Sequence, residues 1–224
     1  MAAAKSSTNW FAIGISIAVV VVLVALGGVV VWLNNQATDA GPAPKSSDTF
    51  NAETGAVSFG DGKDTVAVYL DFQCPICNSF EQQYGEQLEK AVDDGKITLE
   101  YHPIAILDRV SEQTSAPMYA SRSASAALCV VDTNPDKYLD YAKVLFENQP
   151  QEGVESLTSE QLAEFAAQVG ADDAASCITD DTYLKYPAAQ AKKHQIQGTP
   201  TVEINGERLD LQAGELSQLE KLIG

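Results

Sequence analysis

Histidine, cysteine and positive charge are all scarce in this 224-residue chain. A structural zinc site takes four cysteine or histidine ligands, usually as two compact pairs. Cys74 and Cys77 make one such pair. Against a second pair, His102 and His194 lie far from each other and from the cysteines in sequence, and Cys129 and Cys177 are each solitary. No metal or other cofactor is expected. Fourteen basic residues against 31 acidic ones give a net charge of −17, which repels nucleic acid and anionic membrane surfaces and suits a solvated ectodomain. Ahead of Asp39 there is no acidic residue, and Lys5 is the only basic one. No cysteine follows the first apolar run until Cys74, so a lipoprotein-type lipid anchor there is excluded.

That run, Phe11 to Leu33, is 23 residues long and uncharged, with Ser16 its one clearly polar side chain. It is long enough to cross ~30 Å of hydrocarbon as a helix. Trp10 and Trp32 stand at its ends, where aromatic rings favour the interface, and Lys5 favours a cytoplasmic N-terminus. The expected organisation is therefore a cytoplasmic stretch over 1–10, a single transmembrane helix over 11–33, a flexible linker over 34–50 and one folded domain over 51–224, facing outward from the cell membrane. A cleaved signal peptide is the competing reading. Against it stand the length of the apolar core and the poor match of Thr38-Asp39-Ala40 to a small-residue cleavage site. The linker, with Gly41-Pro42-Ala43-Pro44 and Ser46-Ser47, has hardly any large apolar residue to bury.

The folded domain centres on Cys74-Pro75-Ile76-Cys77, which follows the apolar run Thr65 to Leu70 and opens a helical pattern. Phe80, Tyr84, Leu88 and Val92 share one helical face, and Gly95 supplies the stop. The cysteines thus sit at a strand-to-helix junction. Unsatisfied N–H groups and the positive end of the helix dipole favour a thiolate at Cys74, and Pro75 falls where a helix tolerates proline. Cys77, one turn deeper, can reach back to close a disulfide. The expectation is a two-electron redox switch with one exposed and one recessed sulfur; a purely structural disulfide is the bland alternative.

Val57 to Phe59 reads as a short first strand before the turn Gly60-Asp61-Gly62. After Gly95, Ile97, Leu99 and Tyr101 alternate with polar residues as a strand, and the apolar run continues from Ile104 to Leu107. Strand, helix, strand implies parallel neighbours. From about 111 to 195 the composition turns alanine-rich and helical, with candidate helices over Ala116–Val131, Pro135–Asn148, Thr158–Val169 and Thr182–Gln195. Thr158 with Gln161 forms a capping-box pattern. Thr201 to Ile204, Asn205-Gly206 and Arg208-Leu209 read as a hairpin, and Leu216, Leu219 and Ile223 share a face of a last helix over Ala213–Ile223.

This order, with Asp71-Phe72-Gln73-Cys74-Pro75-Ile76-Cys77 and Gly198-Thr199-Pro200-Thr201 as its most specific parts, resembles the DsbA-like family of the thioredoxin fold over roughly Val57 to Gly224. The resemblance implies an α/β thioredoxin fold with an inserted helical domain. It also implies a cis bond before Pro200, beside the disulfide, with the Thr199 backbone free to pair with an extended substrate. X-Pro is the one common way to hold a cis bond, although most X-Pro bonds are trans, and an ordinary trans proline at a strand entrance is the alternative. Two positions depart from the family's habit. Val68 stands six residues before Cys74, where an acid often accepts a proton from the recessed thiol, and Ile76 stands where strong oxidants often place histidine. Asp71 is nearer in sequence to the cysteines, as proton acceptor or simply as the strand's end. Cys129 and Cys177 read either as two buried free thiols or, in an oxidising compartment, as a structural disulfide, which some relatives similarly carry in the helical domain.

The expected protein is a membrane-anchored, extracytoplasmic thiol–disulfide oxidoreductase in which Cys74 and Cys77 are catalytic. It would donate its disulfide to reduced secreted or unfolded polypeptides. A quinone-linked membrane protein, the family's usual source, would reoxidise it. A reductase or isomerase, and a redox-inert thioredoxin-like module gripping unfolded chains at Pro200, are the alternatives.

Overall fold

A computed structural model describes residues 40–224 and, ahead of them, Gly27 alone. The rest of the expected span over 11–33, and residues 34–39 of the expected linker, lie outside the described residues. Among the described residues, no helix is long and apolar enough to cross a membrane.

Among the described residues, six strands form one sheet in the order β1-β2-β4-β3-β5-β6: β1 Phe50–Asn51, β2 Ala56–Phe59, β3 Asp64–Leu70, β4 Ile97–Pro103, β5 Thr201–Ile204 and β6 Glu207–Arg208. β3 and β4 run parallel, Val66 opposite Leu99 and Val68 opposite Tyr101, and α1 (Pro75–Asp93) makes the crossover that parallel neighbours require. The other pairings are antiparallel. β3 is central, and Val66 to Leu70 are buried on both faces, which explains the unbroken apolar run. α1 lays Phe80, Tyr84, Leu88 and Ala91 on the core, while Val92 is half-buried. It ends at Gly95, whose φ of +67° suits glycine. Gly62 answers a different demand, since a Cβ there would overlap the Ile97 backbone.

Between β4 and β5 the chain is helical: α2 Tyr119–Thr133, α3 Tyr138–Glu147, α4 Ser159–Gln168, α5 Ala175–Thr179 and α6 Tyr186–Lys193, with α7 Leu216–Ile223 closing the chain. α2 is buried at every position from Tyr119 to Val131, which its small serines and alanines permit. It starts later than Ala116. Met118 adopts a left-handed φ of 60°, and Arg122 donates from Nε and an Nη to the carbonyls of Pro117 and Ala116, folding that stretch back. α6 starts at Tyr186 rather than Thr182 because Pro187 fits only a first turn. The Thr158–Gln161 capping box is formed in both directions. The short α5 has no counterpart among the expected helices, and the Ile104–Leu107 run leaves the sheet after Pro103.

Residues 40–50, expected as free linker, lie on the domain instead. Pro44 and Phe50 are buried, Ala43 packs against the core, and the Lys45 N–H donates to Asp132 Oδ1 at 3.3 Å. Composition gave no hint of this because the surface that receives the segment comes from distant parts of the chain.

Candidate active site: the Cys74–Cys77 pair

β3 delivers Asp71, Phe72 and Gln73 to the start of α1, and Cys74 caps that helix with extended backbone, φ −81° and ψ 117°. β5 pairs antiparallel with β3, Thr201 opposite Tyr69, which carries Thr199 and Pro200 to the same end of the sheet. The Thr199–Pro200 peptide is cis, and the Cys74 thiol lies 3.3 Å from the Thr199 carbonyl. Cys74 and Cys77 are free thiols in this structure. The expectation of an exposed attacking sulfur is corrected: Cys74 is 5 % exposed and Cys77 2 %, with the Thr199 carbonyl against the Cys74 thiol. Ile76, 66 % exposed, presents an apolar side chain beside them.

The two thiols differ sharply in acidity. The Cys74 thiol is pulled down to about 6, first by a hydrogen bond from the Cys77 thiol, then by the Thr199 side chain and the backbone N–H groups of Cys77 and Ile76, against the opposing effect of burial. The helix terminus therefore contributes as expected, but the partner thiol contributes most, a cause that no inspection of charges along the chain would find. Cys77 is pushed the other way by burial and by Cys74. At neutral pH one sulfur is a thiolate and its partner a protonated donor.

Asp71 is more than a strand end. Its carboxylate accepts from Gln73 N at 2.9 Å, Ile106 N at 2.8 Å and Leu107 N at 3.1 Å, tying the cysteine turn to the chain that leaves β4. Full burial nonetheless pushes it up to about 7. Val68, by contrast, is plain core.

Cys129 on α2 and Cys177 on α5 are joined by a disulfide. The two histidines, distant in sequence, converge on one carbonyl: His194 Nε2 lies 2.8 Å and His102 Nδ1 3.3 Å from Thr54 O, while the Tyr69 hydroxyl meets His194 Nδ1 at 3.2 Å. A carbonyl only accepts, so His194 donates from Nε2 and receives the tyrosine proton on Nδ1. Among the described residues, no group of three or more His, Cys, Asp or Glu could hold a metal ion.

A stabilised thiolate over a recessed thiol, at a strand-to-helix junction beside a cis proline, defines a protein disulfide oxidoreductase on a thioredoxin-like α/β fold. The chain belongs to the thioredoxin family: a family model described as Thioredoxin matches residues 57–223. Among solved structures it is similar to oxidised DsbA from Mycobacterium tuberculosis, at 29 % identity and TM-score 0.65 over 75 % of this chain and 93 % of that one. It is similarly close to the reduced disulfide bond oxidoreductase DsbG of the same organism, at 29 % identity and TM-score 0.66 over 75 % and 88 %. It also resembles the Mycobacterium tuberculosis serine/threonine-protein kinase PknE, at 34 % identity over 119 residues, which are 51 % of this chain and 20 % of the kinase. The chain thus spans about a fifth of the length of the curated relatives it matches.

Proposed function

We propose that this protein is a membrane-anchored, extracytoplasmic oxidase that introduces disulfide bonds into reduced secreted polypeptides. The observation that carries it is the free Cys74–Cys77 pair at the start of α1, with the Cys74 sulfur 3.3 Å from the Thr199 carbonyl beside the cis Pro200 and its acidity raised by the Cys77 thiol. Stabilising the reduced form of a pair makes its disulfide the better oxidant.

A substrate thiolate attacks Cys74 Sγ of the Cys74–Cys77 disulfide. The S–S bond breaks, the electron pair leaves on Cys77, and the buried Cys77 takes up a proton, leaving a mixed disulfide between Cys74 and the substrate. A second substrate thiolate then attacks the substrate sulfur and releases Cys74 as thiolate. The substrate loses two electrons and the enzyme pair gains them. The Thr199 backbone, Pro200 and exposed Ile76 would receive the extended client chain. Reoxidation falls to a membrane protein that passes the electrons to a quinone.

The location rests on the uncharged stretch Phe11 to Leu33 with Lys5 before it, and on the Cys129–Cys177 bond, which suits an oxidising compartment. Ile76 favours a second reading, a reductase or isomerase, because it adds no charge to hold the Cys74 thiolate. Thiol trapping of Cys74 and Cys77 in intact cells separates the two. An oxidase is found mainly oxidised at steady state; a mainly reduced pair would give the case to the second reading.

A further inference from the structure

The helical insertion reaches the catalytic turn through Gln149, which follows α3 and is half-buried. Its Nε2 donates to the Phe72 carbonyl at 2.8 Å and to the Cys74 carbonyl at 3.0 Å, which uses both of its hydrogens. Its Oε1 accepts from Asn78 Nδ2 at 3.3 Å, and the same nitrogen donates to the Phe146 carbonyl at 2.8 Å. Asn78 Oδ1 in turn accepts from Gln82 Nε2 at 2.9 Å. Three amides therefore run in one direction, donor to acceptor, from α1 back to the carbonyl of Cys74. Two carbonyls before Nε2 and a donor before Oε1 fix which way the Gln149 amide points.

Gln73, between the two clamped carbonyls, supplies no hold from its own side chain, since both of its amide atoms are buried without a hydrogen-bond partner. The turn is held from outside, by Asp71 on the Gln73 N–H and by Gln149 on the carbonyls to either side. The Cys74 carbonyl also accepts the helical bond from Asn78 N at 3.2 Å, so the clamp acts where the helix begins. Rotation of that peptide would swing the Cys74 sulfur away from the first N–H groups of α1.

We propose that Gln149 is a positioning residue for disulfide exchange: by clamping the Phe72 and Cys74 carbonyls it holds the Cys74 sulfur against the helix terminus, and it couples that sulfur to the helical insertion. This rests on Cys74 being the reacting sulfur and on nothing about direction or clients. Gln149→Glu keeps the length but sets an acceptor against two carbonyls, and Gln149→Ala removes the clamp. Asn78→Ala leaves Gln149 in place with its Oε1 unheld.

The test is a pH titration of thiolate absorbance in the reduced full chain, with alkylation rate and melting temperature measured beside it. Gln149→Ala is expected to lose about twofold to fivefold of the Cys74 thiolate at pH 6, an upward shift of about half a unit to one unit, with alkylation falling in parallel. Gln149→Glu is expected to lose more, and Asn78→Ala to move the same way. Asn148→Ala, whose amide bonds only to the Val144 carbonyl, is expected to leave the titration unmoved. Should Gln149→Ala not fold, Gln149→Glu and Asn78→Ala give the same reading. An unmoved titration in folded variants, with only the melting temperature lowered, would make Gln149 a structural contact and overturn the proposal. A wild-type chain with no low-pKa thiol would instead undo the oxidase reading, a result distinct from an unmoved variant.

Discussion

At the scale of single residues, the site works by giving two neighbouring thiols opposite tasks. Cys74→Ser is expected to reduce disulfide transfer to background, whereas Cys77→Ser, whose Cys74 thiolate can still attack a client disulfide and displace one client thiolate, accumulates the mixed disulfide visible on a non-reducing gel, because no Cys77 remains to resolve it. Full transfer by Cys74→Ser would refute the assignment. The lowered Cys74 value also fixes a pH window. A depressed acid stabilises the folded reduced form above its unfolded value, about 8.5 for cysteine, and loses that contribution as pH falls through about 6. The reduced protein's thermal stability relative to the oxidised protein is therefore expected to drop from pH 8.5 to 6, measured by paired melting curves. The raised Cys77 acts only above the ordinary cysteine range, outside this window. Asp71 has the opposite sign. A carboxyl raised to about 7 stabilises the fold below its ordinary value near 4 and loses that contribution as pH climbs to 7. Denaturant titrations should show wild-type stability declining over that range, and Asp71→Asn lacking that part of the decline; equal slopes would mean that Asp71 does not titrate there.

At the scale of elements, the Cys129–Cys177 bond ties α2, the fully buried helix, to the five-residue α5, whose Ile178 is buried in the same core. Closing a loop of 48 residues is worth about 4 kcal/mol on the chain-entropy account. The Cys129→Ser, Cys177→Ser double variant is expected to lose stability of that order in urea while keeping disulfide transfer at low temperature. An unchanged midpoint, or lost transfer in a folded protein, would mean that the bond does more or less than staple two helices. Elements with a period were legible in the sequence: β3 from its apolar run, α1 from Phe80, Tyr84 and Leu88, α4 from its capping box, and the hairpin from Asn205-Gly206. α5 carries no amphipathic repeat long enough to detect, and the late starts of α2 and α6 follow from Met118 and Pro187, where local backbone geometry outweighs helical composition.

At the scale of the whole molecule, the cysteine turn is where β3, α1, the chain leaving β4, the β5 entrance and the helical insertion all meet. That turn is legible in the sequence, since Cys74-Pro75-Ile76-Cys77 is one contiguous motif and Thr199-Pro200 carries its own backbone signature. What holds the turn is not. Asp71 reaches Ile106 and Leu107, and Gln149 reaches Phe72 and Cys74, across separations that no periodicity records. The thiol acidities were half legible for the same reason: the helix terminus can be read locally, but the Cys77 hydrogen bond and the burial of both sulfurs belong to the folded neighbourhood.

The central claim, that Cys74 and Cys77 form an oxidising pair, is tested most directly by equilibrating the purified protein with glutathione buffers and trapping the two thiols. With the Cys74 thiolate stabilised, the expected reduction potential lies above thioredoxin's, about −270 mV. A value at or below that would contradict the account, because a pair so easily kept oxidised would draw electrons from few clients.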